Sequence, residues 1–221
     1  MCGRFSLAAS ESELAIRFAS CTLAAPHRPR FNIAPGQLVT SIIGGQGTSR
    51  IGHLSWGIPL SGKPAARIIN ARAETLASKK NFLDALKHRR CLIPADGFFE
   101  WPKTNNDRLP VRFTRQDGKI MGFAGIYQPC LTESGRKEYA CLIITTAPNE
   151  LVSVYHGRMP AILGEDTESI WLNRSEQAPE RLLPLLIPYP ADLMQAYRVS
   201  TLVNKVSNDC PECIEPIPDQ G

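Results

Sequence analysis

The sequence predicts an α+β protein: one domain over residues 1–221, with a barrel-like, mainly antiparallel sheet core, peripheral helices and an irregular tail from about residue 211. Two observations carry this. The middle of the chain is dense in strand-like runs separated by short turn signals, the pattern of antiparallel sheet rather than of repeated βαβ units. The chain also has 221 residues, 43% of them hydrophobic, which suits one domain with a sizeable core.

Taken in order, Cys2 to Ser6 reads as a short strand, and Ser10-Glu11-Ser12-Glu13 is a capping box that opens a helix through about Phe18. Residues 22–36, rich in Pro and Arg, read as irregular. Gln37 to Ile43 is strand-like, Gly44-Gly45-Gln46-Gly47 is a turn, and Arg50 to Trp56 pairs back as a hairpin. A short strand at Arg67 to Asn70 precedes a helix at Lys80 to His88, whose Phe82, Leu83 and Leu86 share one face. Strands follow at Cys91 to Pro94, Phe98 to Trp101, Pro110 to Thr114, Ile120 to Tyr127 and Glu138 to Thr146. Turns at Asn105-Asn106-Asp107, Gln116-Asp117-Gly118 and Glu133-Ser134-Gly135 divide them. Helices at Glu150 to Tyr155, Thr167 to Leu172 and Pro179 to Leu186, with strands at Met159 to Leu163 and Tyr197 to Ser200, complete the expectation.

Composition narrows the function classes. Charged residues make up 21% and the net charge is +4, a mild basic excess that permits phosphate binding without establishing it. The longest apolar runs fall far short of the roughly 18 residues of a membrane span, and no secretory leader is visible. Seven cysteines, an odd number without a framework of spacings, point to free thiols in a reducing cytoplasm. Cys210-Pro211-Glu212-Cys213 has the spacing of a zinc or redox pair but stands alone, so neither metal nor cofactor is expected.

Cys2 is the most informative residue. Removal of Met1 would give it a free α-amine beside its thiol, with reference pKa values of roughly 8 and 8.5. Such a 1,2-aminothiol can condense with an aldehyde to an imine and then close a thiazolidine ring through sulfur. Alternatively, sulfur attacks a carbonyl while the amine acts as base, as in N-terminal-nucleophile hydrolases. Four other segments could serve it. Asn70, Arg72 and Glu74 offer an amide, a guanidinium and a carboxylate within five residues, although Asn70 also suits a helix cap and Arg72 could pair with Glu74. Glu100 sits in an aromatic strand, Asp96-Gly97-Phe98-Phe99-Glu100-Trp101, where burial would raise its pKa for acid–base work; a solvent-facing edge is the plainer reading. His156 lies in Tyr155-His156-Gly157-Arg158-Met159-Pro160 as a proton shuttle, or else as a helix cap or core residue, with Gly157 allowing a tight turn. Phe31 to Gly36 and Leu54 to Pro59 combine turn chemistry with apolar side chains suited to single-stranded nucleic acid, Trp56 and Ile58 as wedges; both could equally cover the core.

Joined in order, these pieces resemble the SOS response-associated peptidase (SRAP) family. The matching segments are Met1-Cys2-Gly3-Arg4-Phe5, Phe31-Asn32-Ile33-Ala34-Pro35, Trp56-Gly57, Ile69 to Thr75, Gly97 to Trp101, Thr145 to Asn149, His156 to Pro160 and Val203-Asn204. The resemblance implies an abasic-site sensor that cross-links to single-stranded DNA through a Cys2 thiazolidine after autoproteolytic removal of Met1, with reversal and lyase chemistry besides. It implies Cys2, Asn70, Glu100 and His156 as catalytic residues, and Arg4, Asn32, Pro35, Trp56, Arg72, Lys80, Thr145 and Arg158 as DNA-binding ones. Either lysine of Lys79-Lys80 could make the phosphate contact there, and Gly157 stands where relatives commonly carry an acid. The partner so implied is abasic single-stranded DNA, with the replication machinery beyond it, for a monomer at the nucleoid. The alternative is an N-terminal-cysteine amidohydrolase of the glutamine amidotransferase type, which ammonia release from glutamine would reveal.

Overall fold

The computed structural model describes residues 2–45, 47–60, 63–102, 109–131 and 135–218. The expected turns at Asn105-Asn106-Asp107 and Glu133-Ser134, and Gln46, lie outside them. In chain order the elements begin with β1 (Phe5–Leu7), α1 (Glu11–Arg17), β2 (Cys21–Leu23), β3 (Arg30–Ile33), β4 (Leu38–Ile43) and β5 (Ser49–Trp56). Then come β6 (Ile58–Leu60), β7 (Lys63–Ile68), β8 (Asn70–Arg72), α2 (Lys80–His88), β9 (Arg90–Ala95) and β10 (Gly97–Glu100). They continue through β11 (Val111–Arg115), β12 (Met121–Leu131), β13 (Lys137–Thr146), α3 (Glu150–Ser153), β14 (Met159–Pro160) and β15 (Ile162–Leu163). The series ends with α4 (Glu165–Leu172), α5 (Pro179–Leu182) and β16 (Met194–Arg198).

Two sheets form the body. The five-stranded one runs β16-β11-β10-β1-β3, antiparallel throughout. The nine-stranded one runs β14-β13-β12-β9-β4-β5-β2, with β15 beside β12 and β8 beside β13, and an extra pairing of β13 with β5 closes β13, β12, β9, β4 and β5 into a five-strand barrel. Closure removes exposed edges from that ring. The expected α+β class with a barrel-like core is therefore what the chain forms. The antiparallel expectation needs qualification, because β13 runs parallel to both β5 and β8, and β2 runs parallel to β5.

Local signals acted largely as written. The Ser10 hydroxyl accepts from the Glu13 N–H while the Glu13 carboxylate accepts from the Ser10 N–H, so the capping box opens α1. Helix α2 has the expected bounds, and Lys87 and His88 in its last turn suit the negative end of the helix dipole. Residues 22–36 are a correction: β2 and β3 lie there, paired to β5 and β1, because distant partners supply the hydrogen bonds that a local reading cannot see. The last strand lies earlier than expected, at Met194–Arg198, where it pairs with β11.

Aromatic side chains join the layers. Phe5 meets Trp56 edge-on at 5.1 Å and Phe123 at 5.9 Å, while Phe98 stacks on Phe113 at 5.0 Å. β1 and β10 are thus anchored in the core within a few residues of Cys2 and Glu100.

Candidate functional site around Cys2

The site begins with β1. Phe5 pairs with Phe98 of β10, and the Phe99 N–H donates to the Arg4 carbonyl at 3.0 Å, so the segment before Phe5 runs alongside the β10 end that carries Glu100. An ion pair locks this register. Asp96 accepts from the Ser6 hydroxyl at 2.6 Å, from Arg112 Nη2 at 2.7 Å and from the Ala8 N–H. Arg112 and Asp96 are both largely buried.

Cys2 is fully buried. The Asn70 side-chain amide donates to the Cys2 carbonyl at 2.9 Å, and Asn70 Oδ1 is buried with no hydrogen-bond partner among the described residues. Asn70 is held by β8, which pairs parallel to β13 with Asn70 opposite Ile143. The turn leading there has Gly57 at φ +97°, and a Cβ at that glycine would lie 2.9 Å from Ile69 Cγ2, so only glycine fits beside the residue preceding Asn70.

Burial raises the Cys2 thiol far above its ordinary range, and the negative charge of Glu100 adds to the rise. Sulfur therefore rests as a thiol. Burial also raises Glu100, to about 7. The side chain is only 5% exposed, on a strand flanked on both sides, which excludes the solvent-facing edge. A carboxyl poised there takes and returns protons readily at neutral pH.

His156 follows α3, with its Nδ1 3.9 Å from Glu100 Oε1. That same Nδ1 lies 3.0 Å from the Arg158 N–H and 3.1 Å from the Arg158 carbonyl, so it finds a backbone partner in either tautomer. Gly157 departs from expectation: its φ is not positive and a Cβ there would meet nothing within 4 Å, so no tight turn or close approach requires it. Cys2, Asn70, Glu100 and His156 are thus brought together.

The expected DNA-binding residues divide. Trp56 is fully buried against Phe5, and its indole N–H donates to the Ile69 carbonyl at 3.0 Å. It positions β8 and has no surface for wedging a base. Asn32 is also fully buried: its amide donates to the carbonyls of Val203, Lys205 and Asn208, and its oxygen accepts from Arg4 at 2.6 Å. Thr145 is buried, with its carbonyl accepting from Arg158 at 2.5 Å. These three are supports for the site, not faces of it.

Arg4 donates to Asn32 and to the Val203 carbonyl, both at 2.6 Å, with its guanidinium 5.6 Å from the centre of the Trp101 ring. Arg158 forks onto Glu74 at 2.6 and 2.9 Å, and that hydrogen bond holds the Glu74 carboxyl below its usual range. Arg72 did not take the Glu74 pairing considered for it. It is exposed and its guanidinium has no hydrogen bond or ion pair among the described residues, although its charge helps to lower the Glu74 carboxyl, which leaves it open to a phosphate. Lys80 is exposed at the start of α2, whereas Lys79 leans over the Phe82 ring at 5.4 Å. Pro35 is exposed in the turn between β3 and β4. Trp101 was missed as part of the site wall; its indole N–H donates to Asn204 at 2.7 Å, a contact across 103 residues that no local pattern reveals.

Among the described residues no three His, Cys, Asp or Glu side chains gather as metal ligands. Cys210 and Cys213 sulfurs lie 3.9 Å apart. No helix among them is long and apolar enough to cross a membrane.

The chain is 41% identical over 225 residues to the abasic site processing protein YoqW of Bacillus subtilis, covering 97% of this chain and 99% of that one. It is 28% identical to the abasic site processing protein YedK of Escherichia coli, covering 98% and 100%. A crystal structure of a Bacteroides thetaiotaomicron protein shares the fold at a TM-score of 0.84 and 24% identity, covering 98% of this chain and all of that one. The family model described as SOS response associated peptidase (SRAP) matches residues 1–206, and with the cysteine, amide, carboxyl and imidazole assembled as above, the chain belongs to that family.

Proposed function

We propose that this protein captures abasic sites in single-stranded DNA by forming a thiazolidine between Cys2, freed of Met1, and the ring-opened sugar aldehyde. The observation that carries the reading is the setting of Cys2, with its carbonyl held by Asn70 and a buried Glu100 of pKa about 7 close enough to act on its thiol electrostatically. The names of the relatives, abasic site processing proteins, supply the substrate.

The order of steps follows from the charge states. Sulfur rests protonated in its buried place, so nitrogen makes the first bond. The amine adds to the aldehyde carbon, Glu100 and His156 relay the protons, and loss of water leaves an imine. Sulfur then adds to the imine carbon while its proton passes to nitrogen, closing the ring without an outside oxidant or reductant. Asn70 Oδ1, unpartnered beside the Cys2 backbone, is placed to orient the amine. The same carboxyl and imidazole serve hydrolysis of the Met1–Cys2 bond, which consumes one water, and reversal of the ring by the same steps backwards. Exposed Arg72 and Lys80 supply phosphate contacts.

The test is intact mass after mixing with a single-stranded oligonucleotide bearing one abasic site. Loss of Met1 and a covalent adduct short of one water, per protein and DNA, are expected. Cys2→Ala abolishes the adduct and leaves salt-sensitive binding. A heat-stable adduct in Cys2→Ala, or undiminished trapping after acetylation of the terminal amine, would refute the scheme.

A further inference from the structure

A cleft of about 770 Å³ opens at the other end of β13 from the Cys2 site. Its walls include Tyr127, Tyr139, Arg89, Arg136, Glu138 and Arg174. Tyr139 lies six residues before Thr145 on β13, roughly 20 Å along a strand. Tyr139 is 56% exposed and meets Tyr127 edge-on at 5.9 Å, so one aromatic ring is braced by another with a face toward solvent. The charges around it do not cancel. Arg89 pairs with Asp84 at 2.5 Å and Arg136 pairs with Glu138, while Arg174 is exposed and has no hydrogen bond or ion pair among the described residues. Its positive charge reaches the Tyr127 phenol, which burial pushes up and Arg174 draws back down.

An open aromatic face beside an uncompensated guanidinium is the pairing that holds a nucleotide unit, with the base stacked and the phosphate neutralised. We infer that this cleft is a second contact for single-stranded DNA, taking a base against Tyr139 and a phosphate on Arg174, remote from Cys2. The inference rests on the DNA reading above for its ligand and is independent of the covalent step. A strand engaged at both places gains effective concentration at the second from anchoring at the first, so only long strands benefit.

The experiment measures anisotropy of unmodified single strands of about 4 and about 16 nucleotides, a range spanning the site sizes of single-strand binders. Tyr139→Ala and Arg174→Glu are each expected to weaken binding of the long strand about 10-fold, the size of one lost stacking contact. Both leave the short strand, and adduct yield on a short abasic oligonucleotide, unchanged. Tyr139→Phe and Arg174→Lys, which keep the ring and the charge, retain most long-strand affinity and serve where a harsher variant unfolds. Equal long-strand affinity in the wild type and the two disruptive variants would overturn the inference. So would displacement of the long strand from the cleft by a free deoxynucleoside monophosphate as effectively as by DNA, since the cleft would then be a nucleotide pocket. Were the Cys2 chemistry wrong, no adduct would form on any oligonucleotide, while the unmodified strands would still report on the cleft.

Discussion

In the proposed scheme Glu100 concentrates the chemistry of the site in one carboxyl. Its folded-state pKa of about 7 lies above the ordinary 4.5, so the folded protein holds a proton that the unfolded chain releases between those values. Stability from this group is full below pH 4.5, declines as pH rises, and is lost above 7; the shift corresponds to roughly 3 kcal/mol. Glu100→Gln should flatten that decline and be the more stable form above pH 7, which urea unfolding across pH would measure. Identical pH slopes in both proteins would contradict the assigned burial effect. The same variant should slow adduct formation and remove the pH dependence of its rate near neutrality. Much of this residue's role was legible beforehand, since a carboxylate among Phe98, Phe99 and Trp101 implies a raised pKa. Trp56 was not legible: an indole beside a glycine reads equally as a surface wedge or a core member, and only the packing against Phe5 decides.

Among the elements, β1 and β10 decide whether the terminus is placed at all. β1 has only three residues, too few to hold a register by its own hydrogen bonds. Asp96 compensates by binding Ser6, Ala8 and Arg112 together. Asp96→Ala would leave a buried guanidinium without its counter-charge, and a loss of about 3–5 kcal/mol is expected in denaturant unfolding. Adduct formation should fall further than the unfolded fraction explains, because Cys2 loses its place beside Glu100; a drop matching that fraction alone would show the clamp to be merely structural. Regular elements such as α1 and α2 were readable because capping and periodicity are local. β2, β3 and the parallel partners of β13 were not, since they exist through pairing with strands far away in sequence.

For the whole molecule, the net charge of +4 is modest, so binding of DNA depends on where cations stand uncompensated more than on how many there are. Of the cations assigned to DNA above, Arg158 and Arg4 are already engaged, leaving Arg72, Lys80 and Arg174 open. In a Cys2→Ala background, log affinity for a long unmodified strand should fall with log salt at a slope near −2, about −0.7 for each of these contacts. Arg72→Ala should reduce the magnitude by about 0.7. A salt-independent affinity would mean that phosphates play no part.

The pairing of β1 with β10, and of Asn32 with carbonyls at 203–208, also sets a timetable for biosynthesis. The first residues to leave the ribosome are the last to find their neighbours, because the partners of Cys2 are translated much later. A nascent chain therefore carries Cys2 for much of its synthesis without Asn70, Glu100 and His156 around it. The neighbours that would steer aldehyde capture under the proposed scheme are gathered only after residue 156 has been made, and Arg4 and Asn32 gain their carbonyl partners only as synthesis nears its end.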